Sequence, residues 1–207
     1  MAYLVLVRHG ESEWNVKSLW TGWTDVSLTE KGREEARHAG DLIKDIKFDF
    51  AFTSALKRAK ETLDEIKKII NEPDIPTIEA KELNERDYGD LTGKNKWEVK
   101  EKYGEEQFMK WRRGWSDPVP NGESLKLVYE RVIPYYKKEI IPKLEIGKNI
   151  LIAAHGNSLR ALIKYLEDVS DTDIPNLEMA TGGVYVYELD ETGKVSNKQI
   201  RAEGKAP

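Results

Sequence analysis

Four short apolar runs stand out from an otherwise polar chain: Tyr3 to Val7, Phe48 to Thr53, Asn149 to Ala154 and Val184 to Glu188. Their brevity and their share of β-branched and aromatic residues predict buried strands. Between them, apolar positions recur three and four residues apart. From Thr29 to about Ile46 this spacing puts Ala36, Ala39, Leu42 and Ile43 on one helical face. Leu56 to Ile70 does the same with Ala59, Leu63, Ile66 and Ile69 or Ile70, and Asn157 to Leu166 with Leu159, Leu162, Ile163 and Leu166. Strands alternating with amphipathic helices predict an α/β fold with a mostly parallel central sheet flanked by helices. Lys81 to Tyr136 is helical, charged and rich in tryptophan, and reads as an elaboration over that sheet. No repeat, low-complexity tract or long Pro/Gly linker divides the chain. Residues 1–207 therefore read as one domain, with a polar tail from about residue 197 of the kind that is left mobile.

Two of the predicted strands end in the same way. Tyr3 to Val7 runs into Arg8-His9-Gly10-Glu11-Ser12, and Ile150 to Ala154 runs into His155-Gly156-Asn157-Ser158 and then a helix. Open α/β sheets bind ligands at the carboxyl ends of their strands, where both histidines would lie. A third junction, Thr53-Ser54-Ala55-Leu56-Lys57-Arg58, puts Arg58 on the first turn of a helix at that edge, where backbone N–H groups add anion-binding donors. Arg8, His9, Arg58 and His155 make chemical sense as a phosphoryl pocket. Two arginines supply permanently charged planar forks. One neutral histidine can attack phosphorus, kept neutral by the neighbouring cations, and the other can add positive charge to the transferring group. Glu85, in Asn84-Glu85-Arg86-Asp87-Tyr88-Gly89, is the candidate acid and base for the oxygen that departs.

Composition narrows the partners. The net charge of −4 offers no wide basic field for nucleic acid or an anionic membrane. Lys110-Trp111-Arg112-Arg113-Gly114-Trp115 interleaves aromatics with cations as single-strand binders do, but the acidic balance argues for a small anionic ligand instead. With no cysteine and three histidines, neither a thiolate site nor a structural metal site is expected. No export signal and no membrane-length apolar run is visible, so the expected compartment is the cytoplasm. His38, between Arg37 and Ala39 on a charged helix, reads as an ordinary helix residue.

The chain closely resembles the cofactor-dependent phosphoglycerate mutase branch of the histidine phosphatase superfamily. Arg8-His9-Gly10 marks the superfamily. Thr21-Gly22-Trp23, Glu85-Arg86, Asn95-Lys96 and Arg112-Arg113 point to the mutases. The resemblance implies a three-layer α/β sandwich and an enzyme that interconverts 3- and 2-phosphoglycerate by ping-pong exchange, primed by 2,3-bisphosphoglycerate and without a metal. It makes His9 the phosphorylated nucleophile, with Arg8, Arg58, His155 and Asn15 holding the phosphoryl and Glu85 as acid and base. It assigns Ser12, Thr21, Gly22, Tyr88, Lys96, Arg112, Arg113, Gly156 and Asn157 to the rest of the substrate. The alternative from the same residues is a histidine phosphatase acting on small phosphate esters. The family includes monomers, dimers and tetramers, which leaves a homo-oligomer as an open expectation. The chain after Leu189 is short. If that left the site poorly covered, water would compete for a phosphohistidine.

Overall fold

All four apolar runs are strands in the computed structural model, which describes residues 1–204. In chain order the elements are β1 (Ala2–Arg8), α1 (Glu13–Val16), α2 (Glu30–Ile43), β2 (Phe50–Thr53), α3 (Lys57–Ile69), β3 (Thr77–Glu79), α4 (Lys96–Tyr103), α5 (Glu105–Arg113), α6 (Leu125–Tyr135), α7 (Ile141–Glu145), β4 (Ile150–Ala154), α8 (Gly156–Leu166), β5 (Val184–Leu189) and β6 (Val195–Ala202). The sheet order is β3-β2-β4-β1-β5-β6, parallel from β3 to β1 and antiparallel at β5 and β6.

Strand alternation sends side chains to both faces, and each face acquires its own core. Val5, Val7, Leu151 and Ala153 pack with Ala39 and Ile43 of α2 and Leu63 and Ile66 of α3. Leu4, Leu6, Ile150 and Ile152 face the other way, toward Val128 and Val132 of α6 and Leu159 and Leu162 of α8. The result is the expected three-layer sandwich. Of the expected elaboration over Lys81 to Tyr136, Leu91, Val99, Phe108, Trp111 and Val119 form a separate small core with Trp20, whereas its last part, α6, belongs to the sandwich layer itself.

Two strands lie outside the apolar pattern. β3 spans three residues at one edge, and β6 holds the other edge by pairing with β5. β6 corrects the expected polar tail: residues 197–202 are sheet. An edge strand packs on one side and faces water on the other, so main-chain pairing suffices without an apolar run. The remainder of that expected tail, from 205 onward, lies outside the described residues.

Register brings the functional junctions together. In the parallel pair β1–β4, Arg8 is opposite Ala154, so His9 and His155 leave the sheet side by side. The His9 N–H donates to the Ala154 carbonyl at 2.9 Å. In β2–β4, Thr53 is opposite Ala153, which delivers Ser54 and the start of α3 to the same edge.

Candidate active site

His9 is 2% exposed, and its Nδ1 lies 2.7 Å from the Gly10 carbonyl. A carbonyl can only accept, so Nδ1 carries the proton and Nε2 keeps a free lone pair. Burial, followed by the nearby Arg58 and Arg8 charges, holds the imidazole well below its ordinary range despite the Gly10 hydrogen bond. The ring is therefore neutral and singly tautomeric, as a nitrogen nucleophile requires.

His155 packs against His9, with ring centroids 5.0 Å apart. Its Nε2 is 2.7 Å from Ser54 Oγ, which also accepts from the Leu56 N–H at 3.1 Å. Either atom of that pair can donate, and His155 Nδ1 has no hydrogen-bond partner inside the protein. The second histidine was expected to add positive charge to a transferring group. In the ligand-free protein complete burial, then Arg58, His9 and Arg8, hold His155 well below its ordinary range.

Arg58 is anchored by two loop carbonyls, Nη1 to Thr24 at 3.0 Å and Nη2 to Gly22 at 2.8 Å. Burial pushes it down to about 10, leaving it cationic at neutral pH. Arg8 donates from Nη1 to the Met179 carbonyl at 2.7 Å and leaves its buried Nε unpartnered. Ser12 caps α1, and its N–H and hydroxyl both donate to Asn15 Oδ1, at 3.0 and 2.9 Å. That uses up the acceptor of Asn15 and leaves its Nδ2 as the donor available for a ligand.

Glu85 accepts three hydrogen bonds at Oε1, from Arg86 N (2.8 Å), Asn157 N (3.1 Å) and Asn157 Nδ2 (2.9 Å). Burial alone would raise its carboxyl. The Arg86 N–H, the Arg8 charge, the Asn157 side chain and Arg58 outweigh that and hold it below the usual carboxylate range. Its main chain is pinned as well. The Trp23 indole N–H donates to the Glu85 carbonyl at 2.6 Å. Arg131 Nη2 donates to the same carbonyl at 2.9 Å, and its Nη1 to those of Glu82 and Asn84. Glu123 grips Arg131 through both carboxylate oxygens and accepts from the Asp87 N–H.

Two adjoining cavities share Arg8, Trp20, Glu85, Tyr88 and Lys96 as a common wall. The inner cavity adds His9, Asn15, Leu19, Thr21 and Arg58. The outer adds Arg112, Arg113, Gly156, Asn157, Arg160, Glu178 and Met179. Lys96 is pushed down to about 8, first by burial and then by Arg112 and Arg8. Of the residues singled out in the sequence, three line neither cavity. Ser12 supports Asn15, Gly22 anchors Arg58 through its carbonyl, and His155 lies behind His9. Sequence reasoning overlooked several residues. Arg160 follows the His155-Gly156 motif by one helical turn and was within reach of a periodicity argument. Ser54, Arg131 and Glu178 carry no local signal. No group of three or more His, Cys, Asp or Glu suited to a metal ion occurs among the described residues.

A parallel sheet edge carrying an unprotonated, buried histidine beside Arg8 and the buried Arg58 points to a class of phosphoryl-handling proteins. The chain belongs to it: the family description "Histidine phosphatase superfamily (branch 1)" matches residues 4–200. Among relatives, a 2,3-bisphosphoglycerate-dependent phosphoglycerate mutase of Parvibaculum lavamentivorans is 53% identical over 205 residues, covering 98% of each chain. A phosphoglycerate mutase of Schizosaccharomyces pombe is 51% identical over 199 residues, covering 95% of this chain and 94% of its own. Among solved structures, the α-ribazole phosphatase of Shigella flexneri superposes with a TM-score of 0.81 at 25% identity, covering 98% of this chain and 97% of that one.

Proposed function

We propose that this protein interconverts 3-phosphoglycerate and 2-phosphoglycerate through a phosphohistidine at His9, primed by 2,3-bisphosphoglycerate, as its mutase-named relatives suggest. The observation that carries the reading is the paired cavity. An inner pocket around His9, Arg8 and Arg58 suits the transferring phosphoryl, and an outer wall of Lys96, Arg112, Arg113 and Arg160 suits a second anionic group. A simple phosphate ester needs only the first.

The bisphosphorylated cofactor fits this site, because the buried Arg8 Nε–H has no protein partner and lies beside a histidine flanked by two cations. When bound, it supplies the phosphoryl that loads His9. His9 Nε2 attacks phosphorus while the Gly10 carbonyl holds the ring by its Nδ1–H. Arg8, Arg58 and Asn15 Nδ2 take the charge on the phosphoryl oxygens, with His155 packed behind the His9 ring, so stabilisation comes from fixed donors. Glu85, ionised in the free protein, takes the proton of the substrate hydroxyl as it attacks phospho-His9. A bound anion offsets the Arg8 and Arg58 charges, which raises the Glu85 carboxyl and lets it return the proton in the reverse half. Substrates this highly charged do not cross membranes unaided, which supports a cytoplasmic enzyme of central sugar metabolism. No helix among the described residues is long and apolar enough to cross a membrane.

The test is 3-phosphoglycerate turnover with and without 2,3-bisphosphoglycerate, with phosphate release measured in parallel. Mutase flux should far exceed phosphate release and require priming, and His9→Ala should lose both phosphorylation and turnover. Equal rates on generic esters would replace this reading with a phosphatase.

A further inference from the structure

The outer cavity holds an acid that the proposed reaction does not use. Glu178 Oε1 is 2.6 Å from Arg113 Nη2, and the Glu178 side chain is 38% exposed. Among the described residues, Glu178 is the one ion-pair partner of Arg113. The backbone on either side is fixed, because the Met179 carbonyl accepts from Arg8 at 2.7 Å and the Glu178 carbonyl from the Tyr185 hydroxyl at 3.3 Å. Arg113 is fixed too, its carbonyl accepting from Arg160 Nη2 at 2.9 Å. Both main chains are held in place, and only the two side chains are left to separate. Burial would raise the Glu178 carboxyl, but the hydrogen bond and charge of Arg113, with Arg112 and Arg8, keep it ionised.

A wall cation that already holds a carboxylate gives an incoming anion less than a free cation would, since binding then exchanges one anion for another. We infer that Glu178 is a specificity-determining residue: its carboxylate stands at Arg113 in place of a ligand's second anionic group and limits how tightly that group is held. The inference rests on the reading that ligands with two anionic groups bind across both cavities. It predicts a selective effect. A ligand reaching the outer wall should feel Glu178, and a single oxyanion seated at His9 should not.

Calorimetric titration of the whole chain and of its Glu178→Gln and Glu178→Ala variants, with 3-phosphoglycerate and with orthovanadate, tests this. Both variants should bind 3-phosphoglycerate about threefold or more tightly, the size expected of a half-exposed ion pair, and vanadate unchanged. In turnover the same variants should lower KM more than they alter kcat. Unchanged or weaker 3-phosphoglycerate binding would overturn the inference and make Glu178 a support for Arg113. Equal tightening of both ligands would reduce it to a general charge effect. A wild type that, primed with 2,3-bisphosphoglycerate, binds 3-phosphoglycerate without converting it would defeat the mutase reading, while the ratio of dissociation constants would still decide the role of Glu178.

Discussion

Glu85 and Lys96 are neighbours on the wall between the cavities, and burial acts on them in opposite ways. For Glu85 the surrounding donors and arginines win, so the carboxylate is ionised in the free protein. Replacing it with the isosteric amide removes the proposed base and keeps the shape. Glu85→Gln should therefore lower kcat by roughly 10²–10⁴-fold with little change in KM, read from steady-state turnover. For Lys96 burial and the neighbouring arginines win, and its charge is present below about pH 8 and lost above it. The value of kcat/KM reports the free enzyme, so it should fall as pH rises through about 8. Lys96→Arg, whose side chain does not deprotonate in that range, should remove or displace the alkaline limb. An unchanged limb would assign it to another group. At this scale the sequence was most legible where chemistry and motif coincide. His9, Arg8 and Arg58 lie where their strand and helix ends put them, whereas Glu178 is a loop residue whose meaning depends on what folds against it.

The junction between β1 and α2 shows how closely the strand end that carries His9 is packed. A Cβ added to Gly32 would lie 2.0 Å from the Glu11 carbonyl oxygen, and one at Gly10 would lie 2.1 Å from the Gly32 carbonyl oxygen. Both obstacles are backbone, so neither can rotate away. Gly32→Ala should destabilise the protein by about 1–3 kcal/mol, measured by denaturant unfolding, and should slow turnover by shifting the His9 turn. Unaltered stability would show that the junction yields. The amphipathic helices α2 and α3 were readable because each buries one stripe against the sheet, and α8 because its apolar residues keep helical spacing although its first eight residues are all buried. β6 was not, because its exposure alternates irregularly and its partner supplies the bonding through the main chain. The clamp from Arg131 to three carbonyls of the Glu82–Glu85 turn was equally hidden, since a side chain that caps a distant turn leaves no periodic trace.

Across the whole molecule, a chain of net charge −4 concentrates cations at one sheet edge. An anionic substrate therefore meets weak repulsion at a distance and strong attraction near the site. Screening acts over about 8 Å at physiological ionic strength, so it weakens the exposed approach more than the buried contacts. The value of kcat/KM for 3-phosphoglycerate should fall with added salt while kcat changes little. A rise would mean that the overall negative charge governs encounter. The sandwich was legible from strand–helix alternation alone. The two-compartment site was not, because its outer wall combines α4, α5, α8 and the Glu178 segment, and only tertiary packing brings these together.

The surroundings of His9 govern release as well as attack. An imidazole that binds protons weakly is also a better leaving group from phosphorus, because the same electron pair is less strongly held to either partner. For a phosphoryl carried at Nε2, burial first, and Arg58 and Arg8 after it, would thus make the nitrogen–phosphorus bond readier to break toward an alcohol. The readiness to transfer would belong less to His9 than to the dry, cationic surroundings packed about it.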